Sequence, residues 1–282
     1  MLERLLDSGQ RHPTFVAAVC AGEVAGSVGE AFLAGYRAAL RCLVPSLPEG
    51  RAVCLCATEE GGAHPRAIAT RVLLGDGGPR LTGRKKWVTG APLADLLLVV
   101  ASQGIGDDGR NRLVVARVEA RAAGVTLHPQ PPTPFVPEIP HAEVTFDSVL
   151  VDELLPGDGY DRYLKPFRTV EDIHVFGAVL GHLFARAQEG GWPAGWRERL
   201  IATLAAFERC AAGDPLEPAT HLVLAGSIEL GRQLASEAIE HFDPTARATW
   251  QRDLTLLSVA SKARASRAEA AWRRVTTVPG AV

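Results

Sequence analysis

Trp87 and Thr89 stand two apart in the run Arg84-Lys85-Lys86-Trp87-Val88-Thr89, and a strand puts residues two apart on one face. A flat aromatic ligand can stack on the indole there while the threonine hydroxyl hydrogen-bonds near its edge. The same pair also suits an ordinary core aromatic beside an ordinary strand residue. Upstream, Thr58-Glu59-Glu60-Gly61-Gly62-Ala63-His64-Pro65 leaves an apolar strand through small residues, whose amides suit a backbone anion nest. His64 either adds a donor to that nest or is a turn histidine before a proline. Gly104-Ile105-Gly106-Asp107-Asp108-Gly109 has the spacing Gly-x-Gly-x-x-Gly. The segment after it is strand-like, so no helix N-terminus is available for a pyrophosphate and a hairpin loop is expected. There is no Gly-x-Ser-x-Gly elbow, and the histidines show no His-Glu-x-x-His or carboxylate-rich spacing. Cys54 and Cys56 share a strand face without a second ligand pair, so no metal site is expected.

The elements that must hold these residues change character twice along the chain. Residues 13–44 are Ala-rich and helical in period, with Phe15, Val19, Val24, Val28, Phe32, Tyr36, Leu40 and Leu43 recurring every three to five positions. Gly22, Gly26, Gly29 and Gly35 each cost a helix about 1 kcal/mol relative to alanine, and mark breaks or close helix contacts. Alternating apolar runs then predict strands at 52–57, 67–74, 80–88, 96–101, 112–118, 125–129 and 142–151. Beyond Gly157 the pattern is helical again, at 168–189, 194–211, 218–241 and 244–275. The expected class is α+β, with N-terminal helices (1–50), a middle β-domain (51–155) and a C-terminal four-helix bundle (156–282). In the bundle, Leu222, Leu224, Ile228, Leu230, Leu234 and Ile239 offer apolar surface for self-association, as a homodimer.

Composition removes several classes of function. Among 282 residues, 30 Lys and Arg face 32 Asp and Glu with no long run of one sign, so neither nucleic acid nor an anionic membrane is an expected partner. No stretch of about 18 uncharged apolar residues occurs, and the N-terminal residues lack a signal-peptide pattern; a soluble, cytoplasmic protein is expected. The five cysteines lie among apolar neighbours, which fits reduced, buried thiols.

Strand, Thr58-Glu59, then Gly83-Arg84-Lys85-Lys86-Trp87-Val88-Thr89, then the apolar strand from Leu96 resembles the β-domain of the flavin-dependent acyl-CoA dehydrogenases. That family follows a strand ending in Thr-Glu-x-Gly with Gly-x-Lys-x-Trp-(Ile/Val)-Thr. The stretch Ala142-Glu143-Val144-Thr145-Phe146-Asp147-Ser148-Val149-Leu150-Val151 to Gly157 is similar to the family's last β-domain strand, and the order of helices, β-domain and bundle is also the family's. The resemblance implies FAD as cofactor, with Thr58, Trp87 and Thr89 against the flavin, and an acyl thioester as substrate. It also implies a base that removes the α-proton, a carboxylate in a desolvated pocket. Aligning Gly177-Ala178-Val179 with the family's first bundle helix makes Glu171 the candidate for the base some members carry there. Thr169 as N-cap with Glu171 and Asp172 in the first helical turn is the competing reading.

Departures from the family pattern keep a second function open. The family's Thr-Glu-Pro-x-Ala-Gly-Ser-Asp is Thr58-Glu59-Glu60-Gly61-Gly62-Ala63-His64-Pro65 here. Its Arg-x-x-Phe-Gly element is replaced by residues 189–197, with Arg197 and Arg199 out of motif. The late catalytic Glu before Gly-Thr has no counterpart, and about 50 residues precede the β-domain where the family usually has more than a hundred. The alternative is therefore a non-catalytic family member that serves as a binding subunit, in a homo-oligomer or a heteromer with a related chain.

Overall fold

The computed structural model describes Leu2, residues 12–62 and residues 64–277. They form two compact units of an α+β fold. One is helical and holds the described residues up to Cys42, Pro134–Val136 and those from Thr169 onward; the other holds Leu43–Thr133 and Pro137–Arg168.

The second unit carries eight strands: β1 (Val53–Cys56), β2 (Arg71–Leu73), β3 (Arg80–Thr89), β4 (Leu96–Ile105), β5 (Asn111–Glu119), β6 (Val125–Pro129), β7 (His141–Leu150) and β8 (Glu153–Leu154). They form one mixed sheet in the order β6-β7-β3-β2-β4-β5-β8, with β1 beside β4. Its centre is legible in composition: Leu96, Leu97, Leu98, Val99, Val100 and Ala101 are apolar without alternation and all buried, as in a strand covered on both faces. β1 and β2 run parallel to β4, and β5 joins it through an antiparallel hairpin. The hairpin loop is the glycine-rich segment, closed by Gly106 N donating to Arg110 O at 2.8 Å and Gly109 N to Gly106 O at 2.9 Å. The strand expected at 67–74 shrinks to β2. Pro65–Ala67 forms a 3-10 turn instead, and the Asn111 side-chain amide donates to Pro65 O and Ile68 O, both at 3.0 Å, holding that backbone off the ladder.

The helical unit contains α1 (Pro13–Val24), α2 (Val28–Leu43), most of α3 (Lys165–Glu189), α4 (Ala194–Ala211), α5 (Pro218–Glu237), α6 (Pro244–Asp253) and α7 (Ser261–Thr276). The periodic stretch at 13–44 is thus two helices. Gly22 and Gly35 are there for close approach, because a Cβ on Gly22 would lie 2.0 Å from Ala178 O and one on Gly35 2.6 Å from His174 O. Gly181 reciprocates from α3, its Cβ position 2.4 Å from Val19 O. α3 begins three residues before the expected start, continuing a π-helical turn at Tyr160–Leu164.

The last helical segment is not one helix. Leu254–Ser258 tightens into a 3-10 turn that buries Leu256 and Leu257, and Ala260 adopts a left-handed φ of 65° before α7. Neither glycine nor proline marks this break. On α5, Leu224, Ile228 and Leu234 are buried in the unit's own core, whereas Leu230 and Val223 are exposed. No helix among the described residues is long and apolar enough to cross a membrane.

Two glycine substitutions separate helix propensity from packing. Gly226→Ala, on α5 with open space around the new Cβ, should stabilise by about 0.5–1 kcal/mol. Gly22→Ala should destabilise by about 1–3 kcal/mol, because α1 must move off Ala178. Urea denaturation of the two variants checks the opposite signs.

Candidate functional site

The strand that carries Trp87 is fixed by a lysine pointing the wrong way for its type. Lys85 Nζ is fully buried, 2.7 Å from Glu59 Oε1, and donates to Ala57 O at 3.2 Å. Glu59 also accepts from Ala69 N at 2.8 Å and Thr70 N at 3.0 Å. One carboxylate therefore ties the exit of β1, the approach to β2 and the middle of β3. Burial works to raise the Glu59 pKa, but the hydrogen bond and charge of Lys85 and the two amides outweigh it, leaving the carboxyl below its ordinary value. For Lys85 burial wins, and its pKa is lowered despite Glu59.

Immediately after Lys85 the strand bulges. Lys85 pairs with Val144 and Val88 with Ala142, so Lys86 and Trp87 together face the single residue Glu143. Strict alternation from Leu81 and Lys85 would send Trp87 and Thr89 inward. The extra residue reverses the phase: Val88 takes the buried position, and Trp87 turns outward with 54 % of its surface exposed. The geometry is strained, since Trp87 has φ 58°, a region costing a residue with a Cβ about 1–2 kcal/mol.

The outward face gathers more than the sequence pattern indicates. Thr89 lies directly opposite His141 on β7, so their side chains share that face. Burial, partly offset by a hydrogen bond to Ile139 O, lowers the His141 pKa and so favours the neutral ring. Its Nδ1 donates to that carbonyl at 3.1 Å, leaving Nε2 as an acceptor. Thr58 is joined to the bulge through its backbone, its carbonyl accepting from Lys86 N at 2.9 Å. The unit thus brings Trp87 and Thr89 together, holds the backbone of Thr58 to the neighbouring Lys86, and adds His141. A flat ring fits this set: an exposed indole for stacking, a threonine hydroxyl, and an imidazole acceptor beside it.

The loop after Thr58 is less suited to an anion. Glu59 N donates to Gly62 O at 3.1 Å and Gly62 N to Glu59 O at 2.9 Å, so the Gly62 amide of the expected nest is already engaged and the turn is closed on itself. Ala63 lies outside the described residues. His64 is a turn cap, its Nδ1 accepting from Arg66 N at 3.2 Å. A groove of about 320 Å³ in the same unit is lined by Glu60, Thr70, Arg84, Lys86 and Glu143, and does not include Thr58, Trp87 or Thr89.

Glu171 belongs to the helical unit, in the second turn of α3. Since α3 starts at Lys165, Thr169 is a buried interior residue rather than the N-cap, which removes helix capping as the reason for the acidic pair. Asp172 has a structural role: it accepts from Arg264 Nε at 2.9 Å, from Arg264 Nη2 at 2.7 Å and from Arg267, so that α7 is clamped to α3. Glu171 is the neighbouring carboxylate and is half-buried.

Residues 54–149 match the sequence profile of the acyl-CoA dehydrogenase middle domain. Benzylmalonyl-CoA dehydrogenase of Aromatoleum aromaticum is 29 % identical over 160 residues, a match spanning 54 % of this chain and 41 % of that protein. Among solved structures, butyryl-CoA dehydrogenase from Megasphaera elsdenii superposes with a TM-score of 0.72 at 16 % identity, covering 92 % of this chain and 81 % of that one. FMN-bound TdsC from Paenibacillus sp. A11-2 also gives a TM-score of 0.72, at 17 % identity, covering 99 % and 89 % of the two chains.

Breaking the buried pair has a signature in acid. Lys85→Met leaves Glu59 buried without its ammonium and should cost about 3–5 kcal/mol. The stabilisation that Glu59 contributes is complete above its unfolded pKa of about 4.3 and is lost as pH falls through the lower folded value. Denaturation between pH 3 and 7 should therefore show a steeper acid loss in the wild type than in Glu59→Gln.

Proposed function

We propose that this chain is a flavin-dependent oxidoreductase of the acyl-CoA dehydrogenase type acting on an acyl thioester, a reading supported by the match of residues 54–149 to that family's middle domain. The observation that carries the proposal is the bulge in β3, which turns Trp87 outward at φ 58° onto the face shared by Thr89 and His141. A buried indole would need neither the bulge nor the strain. When bound, a flavin supplies the hydride acceptor that a saturated thioester requires, and FAD is the form proposed. Trp87 stacks against the ring system, Thr89 hydrogen-bonds beside it, and the Thr58 segment lies at its polar edge. Glu171 removes the proton α to the thioester carbonyl, as a general base.

The engaged amides of the turn at 59–62 favour a second reading, a family member that keeps the fold as a binding or partner subunit without turnover. The absorption spectrum of purified protein distinguishes the two. Retained or reconstituted flavin, with bands near roughly 375 and 450 nm, supports the oxidoreductase; a chain that takes up no flavin belongs to the second reading. Self-association is part of the proposal, through the α5 face that exposes Val223 and Leu230, and a monomeric mass at micromolar concentration counts against it.

Trp87→Gly should leave stability unchanged or raise it by about 1 kcal/mol, because glycine adopts positive φ without strain, while weakening flavin binding about tenfold through lost stacking. Thermal melting and flavin titration of one preparation read both. Glu171→Gln should abolish exchange of the substrate α-proton with deuterated solvent while the flavin spectrum persists. Full activity in that variant would return Glu171 to a structural role.

A further inference from the structure

We propose that His12, Cys42 and His174 form a binding site for one borderline transition-metal ion, of the zinc(II) class, that staples the first two helices to α3. The three residues are 30 and 132 positions apart in sequence, so no spacing motif reveals them, yet one ligand atom from each lies within 4.8 Å of the others. His12 is the residue preceding α1 and makes no side-chain cap bond, Cys42 is in the last turn of α2, and His174 is buried on α3. Zinc–nitrogen and zinc–sulfur bonds of about 2.0–2.3 Å put tetrahedral ligand atoms about 3.3–3.6 Å apart. His12 Nε2 and Cys42 Sγ are already 3.9 Å apart, so the side chains have little distance to close.

The surroundings orient both imidazoles for metal. His174 Nδ1 donates to Val170 O at 2.8 Å, which fixes the tautomer and leaves the Nε2 lone pair for a ligand. The His12 Nδ1 lies 3.0 Å from Thr14 Oγ1, an acceptor that leaves Nε2 for the same ion. Outer hydrogen bonds of this kind accompany metal-ligating histidines. The Thr14 hydroxyl also contacts His174 Nε2 at 2.9 Å; the ion displaces it from that nitrogen, and its bond to His12 remains. Among the described residues no carboxylate belongs to the cluster, so hard oxygen-seeking cations are disfavoured and a thiolate with two imidazoles selects zinc(II) or cobalt(II). Burial lowers the His174 pKa to about 4, so this ligand is neutral at physiological pH. Burial, partly countered by a hydrogen bond with Thr14, raises that of the Cys42 thiol. Metal binding therefore forms a sulfur–metal bond, breaks the sulfur–hydrogen bond and releases that proton to solvent. Water takes the fourth position, on the side where His12 and Cys42 reach the surface.

The test uses the full chain, chelator-stripped with thiols reduced, and titrates it with cobalt(II). One equivalent should bind with a thiolate-to-cobalt charge-transfer band and tetrahedral visible bands, and zinc(II) should displace it. Cys42→Ser should abolish the charge-transfer band, Cys20→Ser should leave it, and Thr14→Val should weaken zinc affinity about ten- to hundredfold. Zinc should also raise the melting temperature of the wild type, a readout that needs no variant. Absence of the band, its survival in Cys42→Ser, or a melting temperature indifferent to zinc overturns the site.

Discussion

The sheet unit depends on a lysine and a glutamate that meet in its interior. Desolvating two charges costs several kcal/mol per ion, and mutual attraction repays this only when the remaining donors and acceptors are also satisfied. Here two of the three Lys85 donors meet a carboxylate and a carbonyl, and Glu59 has an ammonium and two backbone amides. An apolar pair of the same volume would fill the space without tying β1, β2 and β3 to one point. The ion pair fixes relative position, which hydrophobic contact alone does not.

That fixed point controls the next residues of β3. With Lys85 held inward, its register against Val144 is set; Val88 against Ala142 is also buried. Two inward residues three positions apart cannot belong to an unbroken pleat, whose period is two. The strand must bulge between them, and the residue turned out at the bulge is Trp87. The helical unit uses a different device, glycines on α1 and α2 that let backbone meet the backbone of α3. Asp172 then accepts from two arginines of α7. Both devices converge on the stretch of α3 that carries Glu171.

How much of this is legible in sequence depends on how local the cause is. The central strand was legible because Leu96 to Ala101 has no polar interruption, and the β4–β5 turn because its glycines sit between two apolar runs. The motif around Thr58, Trp87 and Thr89 was legible as a resemblance, but its geometry was not. Lysine in a strand reads as a solvated residue, so the inward turn of Lys85 and the bulge after it leave no sign in a run without glycine or asparagine. His141 went unassigned because its opposition to Thr89 is a matter of register across 52 positions. The break between α6 and α7 comes from burying adjacent leucines, Leu256 and Leu257, and a helical period does not report it. The start of α3 was misplaced because Thr169, Glu171 and Asp172 mimic a capped first turn, whereas Thr169 and Asp172 instead meet arginines of α7.

The physical case for a site in the sheet unit is independent of any relative. A buried lysine, an aromatic residue in left-handed backbone geometry and an exposed indole each run against local preference, and all fall within Lys85 to Trp87. A sequence under selection for stability alone removes such features one at a time, because each has an apolar or glycine substitute that folds at lower cost. Their coincidence within three consecutive residues is what the proposed site would account for. Local rules fail in this way where binding or catalysis opposes folding. The bulge provides one thing an unbroken strand cannot: Lys85 inward and Trp87 outward, two residues apart, with a large flat surface presented beside a backbone that the ion pair anchors.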